Sequence, residues 1–141
     1  FAPETGILIY IPQFLPRYSG FKNLELLASI RQTIDRHEIT DSLRRVGLDP
    51  EDKRYFHTYS TGMRQRLGIA QSIMENPRLL ILDEPTRGIY EAGSKEISEF
   101  IKKLRDEGKT ILIASHFAEE IDGLCDQVYV MNRGRLHRYQ A

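Results

Sequence analysis

The chain has 141 residues, 20 Lys plus Arg against 20 Asp plus Glu, one Cys and no Trp. That length suits one domain, and no apolar run approaches the ~20 residues that a membrane-spanning helix needs. Charge is balanced in both parts, 8 basic and 8 acidic residues over 1–60, then 12 and 12 over 61–141. This argues against a general affinity for nucleic acid or anionic lipid. The lone Cys125 excludes an internal disulfide and a Cys-rich zinc site, and fits a reducing compartment.

Gly6–Ile11 is a short β-branched and aromatic run closed by Pro12, which predicts a strand. Residues 12–20, with Pro12, Pro16, Ser19 and Gly20, read as a loop. Apolar positions at helical spacing predict helices over 22–36 and 39–46, the second stopped by Gly47 and Pro50. A polar stretch then leads into a helix from about 62 to 75, ended by Asn76-Pro77. From there the pattern alternates. Leu79–Leu82 reads as an apolar strand, 91–107 as an amphipathic helix and Thr110–Ala114 as a second strand. Residues 117–124 read as a short helix and Gln127–Met131 as a third strand. Uninterrupted apolar strands separated by helices predict a parallel sheet covered on both faces, an α/β fold. Residues 12–76 contain no strand pattern and read as an inserted helical lobe. Asn132-Arg133-Gly134-Arg135 suits the turn of a final hairpin.

The chemistry concentrates where those strands end, as ligand sites do in open α/β sheets. One strand ends in Asp83-Glu84-Pro85-Thr86. Adjacent carboxylates at the tip of a buried strand are costly unless a cation or hydrogen-bond donors compensate them. An Asp in that place can hold the water shell of Mg²⁺, and the neighbouring Glu can deprotonate an attacking water. Equally, Asp83 could simply close the following turn. The next strand ends in Ser115-His116, where the imidazole either contacts a terminal phosphate or is an ordinary structural histidine. Ser60-Thr61-Gly62 opens the helix at 62–75. Ser and Thr cap well, Gly lets a ligand approach the backbone, and free N–H groups at a helix start attract phosphate. A plain capped helix would look the same.

Order and spacing decide among these readings. Tyr59-Ser60-Thr61-Gly62-Met63-Arg64-Gln65-Arg66, followed after an interval by Asp83-Glu84-Pro85-Thr86 and then by Ser115-His116, resembles the ATP-binding cassette family from about Gly6 to Arg138. By that resemblance, 59–63 is the signature motif, 79–84 the Walker B strand and His116 the switch histidine. The form of the signature and the stretch Ser19–Leu27 are similar to the bacitracin- and lantibiotic-type exporter branch, whose ATPase is a separate chain from its permease. The resemblance implies a P-loop NTPase core with an inserted helical subdomain, 12–76, and a Walker B to switch-histidine core, 77–141. The implied function is an ATPase powering export from the inner face of the membrane. ATP and Mg²⁺ are the implied cofactors. The implied partners are a transmembrane permease and a second cassette, with no nucleic acid. Asp83 would hold Mg²⁺ through water, Glu84 would be the general base, and His116 would contact the γ-phosphate. Ser60, Thr61 and Gly62 would bind ATP held by the opposite subunit.

Three departures qualify the resemblance. No G-x-x-x-x-G-K-[ST] occurs anywhere, so the backbone nest and Lys that cradle phosphates are missing. With Phe1 first and Met63 the first Met, the chain is expected to be a processed or truncated product, the last two-thirds of a cassette. It is expected to bind ATP weakly and not to turn it over; saturable hydrolysis by the pure chain would defeat this. Uncovered strand edges predict self-association, against which a clean monomer in light scattering would count. After Thr86 the sequence reads Arg87-Gly88-Ile89-Tyr90, with Tyr90 in place of the Asp that signals between sites in the family. Tyr90 is the only support for the alternative of a degenerate regulatory cassette; a non-transport cassette is a further alternative, disfavoured by the balanced charge and the compact 12–76 lobe. The Q-loop position falls on Gln13 by its place after a strand and Pro, or on Tyr10 by gapless alignment from Ser19-Gly20.

Overall fold

The computed structural model describes residues 4–10, 12–121 and 123–139. β1 (Thr5–Leu8) alternates half-buried and buried positions. It ends earlier than its apolar run: Ile9 is 67% exposed and Tyr10 36%. Ile11, expected to close the strand, lies outside the described residues.

α1 (Gly20–Arg31) starts where the Ser19 hydroxyl accepts a hydrogen bond from the Lys22 N–H at 3.2 Å. It stops at Arg31, short of the expected 36, because Gln32 turns left-handed with φ 52° and its N–H donates back to Ala28 O. α2 (Arg36–Arg45) begins three residues before the expected 39. Asp35 and Glu38 form a reciprocal capping box there, which supplies acceptors to the first free N–H groups. α3 (Thr61–Ile73) is capped by Ser60, whose hydroxyl accepts from Met63 N–H at 3.2 Å. Between residues 12 and 76 the described chain forms helices and loops only.

β2 (Leu79–Asp83) is followed by α4 (Glu91–Asp106), which buries Ile97, Ile101 and Leu104, one helical face. β3 (Thr110–Ala114) completes a parallel sheet in the order β1–β2–β3. Leu8 lies beside Leu82, Leu82 beside Ile113, and Asp83 beside Ala114. α3 lies flush against this sheet. A Cβ on Gly6 of β1 would stand 1.9 Å from Ser72 O of α3, and one on Gly68 of α3 would stand 2.6 Å from Leu8 Cδ1. Only glycine permits that approach. One core therefore runs from the sheet into the helical segment, with Leu24, Ile39, Leu43, Leu67, Leu80, Leu82 and Leu104 almost wholly buried.

Two expectations need correction. The strand expected over Gln127–Met131 does not join the parallel sheet. Among the described residues β4 (Tyr129–Asn132) pairs only with β5 (Arg135–Arg138), antiparallel, after the short α5 (Ala118–Ile121). The expected turn is there, with Arg133 at φ 47° and Gly134 at φ 75°, the pair of positive φ angles that a tight hairpin prefers. Nor is the sheet covered on both faces throughout, for Leu112 on β3 is 60% exposed. An apolar run predicts a strand from propensity, but which strand it pairs with and what covers it depend on neighbours that periodicity does not encode.

Candidate functional site

The site is built where β2 and β3 end. Asp83 is the last residue of β2, half-buried and in register with Ala114. The chain then turns sharply. Glu84 has φ 51°, a left-handed conformation that costs a non-glycine residue about 1 kcal/mol or more and persists only where surrounding contacts impose it. Those contacts are visible. Glu84 N–H donates to Ala114 O at 2.8 Å, and Arg87 N–H donates to Glu84 O at 3.1 Å, closing the turn. Gln65 Nε2 on α3 donates to the same carbonyl at 3.0 Å.

The turn aims the Glu84 side chain at His116. Its Oε1 lies 2.5 Å from His116 Nδ1, while the Glu84 side chain is 14% exposed and that of His116 56%. The second carboxylate oxygen, Oε2, is buried and unpartnered. A buried carboxylate oxygen left without a donor costs on the order of 1–3 kcal/mol or more, so the arrangement suits an external donor such as water. Thr86, also fully buried, leaves Oγ1 unpartnered in the same turn. His116 is steadied by the Phe117 ring, 4.0 Å away between centroids.

The other expected residues form a second half of the site. Ser60 and Thr61 are exposed and Gly62 half-buried at the start of α3. The loop after Thr86 returns to this helix start: a Cβ on Gly88 would lie 2.7 Å from Thr61 Cγ2. Gln13 is exposed. Tyr10 reaches the edge of the site, with the Arg87 guanidinium 4.2 Å from its ring centroid. Arg64 and Arg66, which flank the signature, are structural. Arg64 donates to the carbonyls of His57 and Tyr59, and Arg66 to Val46 O at 2.7 Å and Glu96 at 2.6 Å.

Gln65 escaped the sequence reading. It shares a helical face with the buried Ile69 and Ile73, and a polar side chain on an apolar stripe was the available signal. Among the described residues no group of three or more His, Cys, Asp or Glu side chains is placed to hold a metal ion. The donor set fits Mg²⁺ in one way. Magnesium keeps several waters and takes one or two carboxylates plus substrate phosphates, so Asp83 would suffice as a water-mediated ligand if a nucleotide supplied the rest.

This geometry has close relatives. A family model described as ABC transporter matches residues 3–87, so the chain belongs to the ABC transporter family. It is 42% identical over 134 residues to the bacitracin transport ATP-binding protein BcrA of Enterococcus faecalis, covering 94% of this chain and 44% of that protein. It is 37% identical to the lantibiotic transport ATP-binding protein SrtF of Streptococcus pyogenes, covering 94% of this chain and 58% of that one. The chain thus spans about half the length of these curated relatives. Among solved structures, it resembles cbiO1 from Clostridium perfringens, part of the ABC transporter complex cbiONQ, with 30% identity and TM-score 0.80, covering 95% of this chain and 56% of the other. The ATP-binding cassette MJ0796, in a dimeric post-hydrolysis state with ADP and Pi, shares the fold at TM-score 0.83 and 20% identity, covering 96% and 63%.

Proposed function

We propose that this chain is the signature, Walker B and switch-histidine part of an ATP-binding subunit that powers export through a separate membrane permease. Residues 12–76 are its helical subdomain and 77–141 its catalytic core. The observation that carries the reading is the Glu84–His116 pair at the end of β2, with one carboxylate oxygen held and the other buried without a donor.

The residues divide the work as follows. Glu84 Oε2 accepts the proton of an attacking water, while the His116 contact fixes Oε1 and so the direction of Oε2. With its Nδ1 turned to Glu84, the exposed His116 ring keeps its other nitrogen for a terminal phosphate. Asp83 would hold Mg²⁺ through water, and the bound ion would supply neutralisation of the charge that develops on the phosphates. The Ser60 hydroxyl accepts from Met63 N–H, so its own proton can donate outward. Together with the Thr61 and Gly62 N–H groups it forms an anion site at the start of α3. Ser60 and Thr61 are exposed, so the site suits ATP held by a second cassette. The dimeric state named for MJ0796 supports this arrangement, and the named roles of BcrA and SrtF support transport. Gln13 remains the Q-loop candidate, with Tyr10 the alternative through Arg87. No helix of the described residues is long and apolar enough to cross a membrane, and the subunit would sit on the permease at the cytoplasmic face.

A regulatory cassette that binds nucleotide without turnover is the second reading. Tyr90 favours it, being 92% exposed where the family carries the signalling Asp. Mg²⁺-dependent ATP hydrolysis by the full-length protein carrying this segment separates the two. The transporter reading expects activity that Glu84→Gln abolishes while ATP binding persists. A full-length protein that binds ATP and shows no turnover would establish the second reading instead.

A further inference from the structure

We infer that Gln65 is a positioning residue for the Glu84 base and ties it to the anion-binding start of α3. The inference rests on the reading of Glu84 given above. The peptide of Glu84 is held at φ 51° by three hydrogen bonds. Two of them, from Glu84 N–H to Ala114 O and from Arg87 N–H to Glu84 O, belong to the strand end and to the turn itself. The third comes from outside the sheet, through the Gln65 amide on α3. Gln65 is 4% exposed, so that amide has no water to exchange with.

The position of Gln65 along α3 matters. It lies five residues beyond the cap Ser60, roughly 7.5 Å along the axis at 1.5 Å per residue. The helix start and the Glu84 carbonyl are thus joined by little more than one helical turn and a single side chain. The same loop touches α3 a second time, where Gly88 lies against Thr61. These two contacts fasten the turn 84–88 to the first five residues of the helix. A shift of the helix start on binding phosphate must then shift or tighten the Glu84 backbone, and with it the carboxylate that meets His116. The amide is well chosen for this. It donates to the carbonyl without adding charge beside two carboxylates, and a buried hydrogen bond of this kind fixes one orientation.

The test compares Gln65→Met and Gln65→Glu with Glu84→Gln in the full-length protein carrying this segment. Met keeps the length and removes the donor; Glu keeps the shape and sets an oxygen against the Glu84 carbonyl. The expected result is a ten- to hundredfold fall in kcat for both Gln65 variants with KM for ATP within about twofold. Wild-type kcat in either folded Gln65 variant, while Glu84→Gln is inactive, overturns the inference and leaves the base assignment standing. A loss of fold in both variants, or a KM that rises as kcat falls, overturns it in favour of a structural or nucleotide-binding role. Full activity in Glu84→Gln removes the base assignment itself, and the inference with it.

Discussion

β2 and β3 read alike in sequence, as apolar strands of four and five residues followed by polar residues with side-chain chemistry, yet they occupy opposite conditions. β2 is sandwiched between two strands, and Leu80 and Leu82 are almost wholly buried. Among the described residues β3 pairs on one side only, and Leu112 is 60% exposed; beyond it the hairpin leaves Val130, Met131 and Leu136 between 48% and 73% exposed. The site straddles this divide. Asp83 and Glu84 hang from the buried strand, and His116 follows the open one. The side that demands accuracy, the Glu84 turn, is fixed by α3, β2 and β3 together. The other side, His116, is left accessible, its side chain 56% exposed.

Mutations should expose that asymmetry. The largest effect is expected at Leu82: Leu82→Ala should cost ~2–5 kcal/mol in chemical denaturation, and Leu136→Ala within about 0.5 kcal/mol. Equal losses would mean that the hairpin is packed in solution. Gly6→Ala should come next. Its Cβ would meet the backbone oxygen of Ser72 rather than a movable side chain, so a loss of ~1–3 kcal/mol and a shift of α3 away from β1 are expected. Tyr90 sits at the cap position of α4 without a side-chain hydrogen bond. Tyr90→Asp should therefore gain about 1 kcal/mol in thermal denaturation, and no gain would show that the exposed ring is held elsewhere.

The smallest effect concerns pH. Glu25 is paired with Lys22 at 2.7 Å and with Arg36, which ties α1 to the start of α2. The hydrogen bond from Lys22, aided by both positive charges, holds its carboxyl below the usual 4.5. A depressed folded pKa means that this stabilisation is complete above 4.5 and fades as pH falls through the lowered value. Glu25→Gln should flatten the acid limb of the stability profile slightly and leave neutral pH almost unchanged.

The sequence carried much of this. Short apolar runs, Pro and Gly stops and the Asp83-Glu84-Pro85 and Ser115-His116 strand ends were all legible, because each depends on local propensity and on chemistry adjacent in the chain. What escaped depends on contacts between distant residues. Gln65 and Glu84 are nineteen apart, and only folding shows that one side chain meets the other's backbone. The Tyr10–Arg87 stack joins two loops in the same way. The strand expected over Gln127–Met131 joins the hairpin that its turn predicts and not the parallel sheet, because an apolar strand carries no label for its partner. Helix limits moved for a nearer reason, since the Asp35–Glu38 box and the left-handed Gln32 outweigh apolar spacing.

The central claim is that the Glu84 turn is already built into the packed core of this chain, before any nucleotide or partner arrives. Amide hydrogen exchange of the 141-residue chain tests it directly. The account predicts slow exchange at Leu80–Glu84 and Leu67–Ile73, with the Glu84 amide protected by Ala114, beside fast exchange across Tyr129–Arg138. Exchange at Glu84 as fast as in the hairpin would show that the turn forms only with a ligand or a partner, and would contradict a prebuilt site.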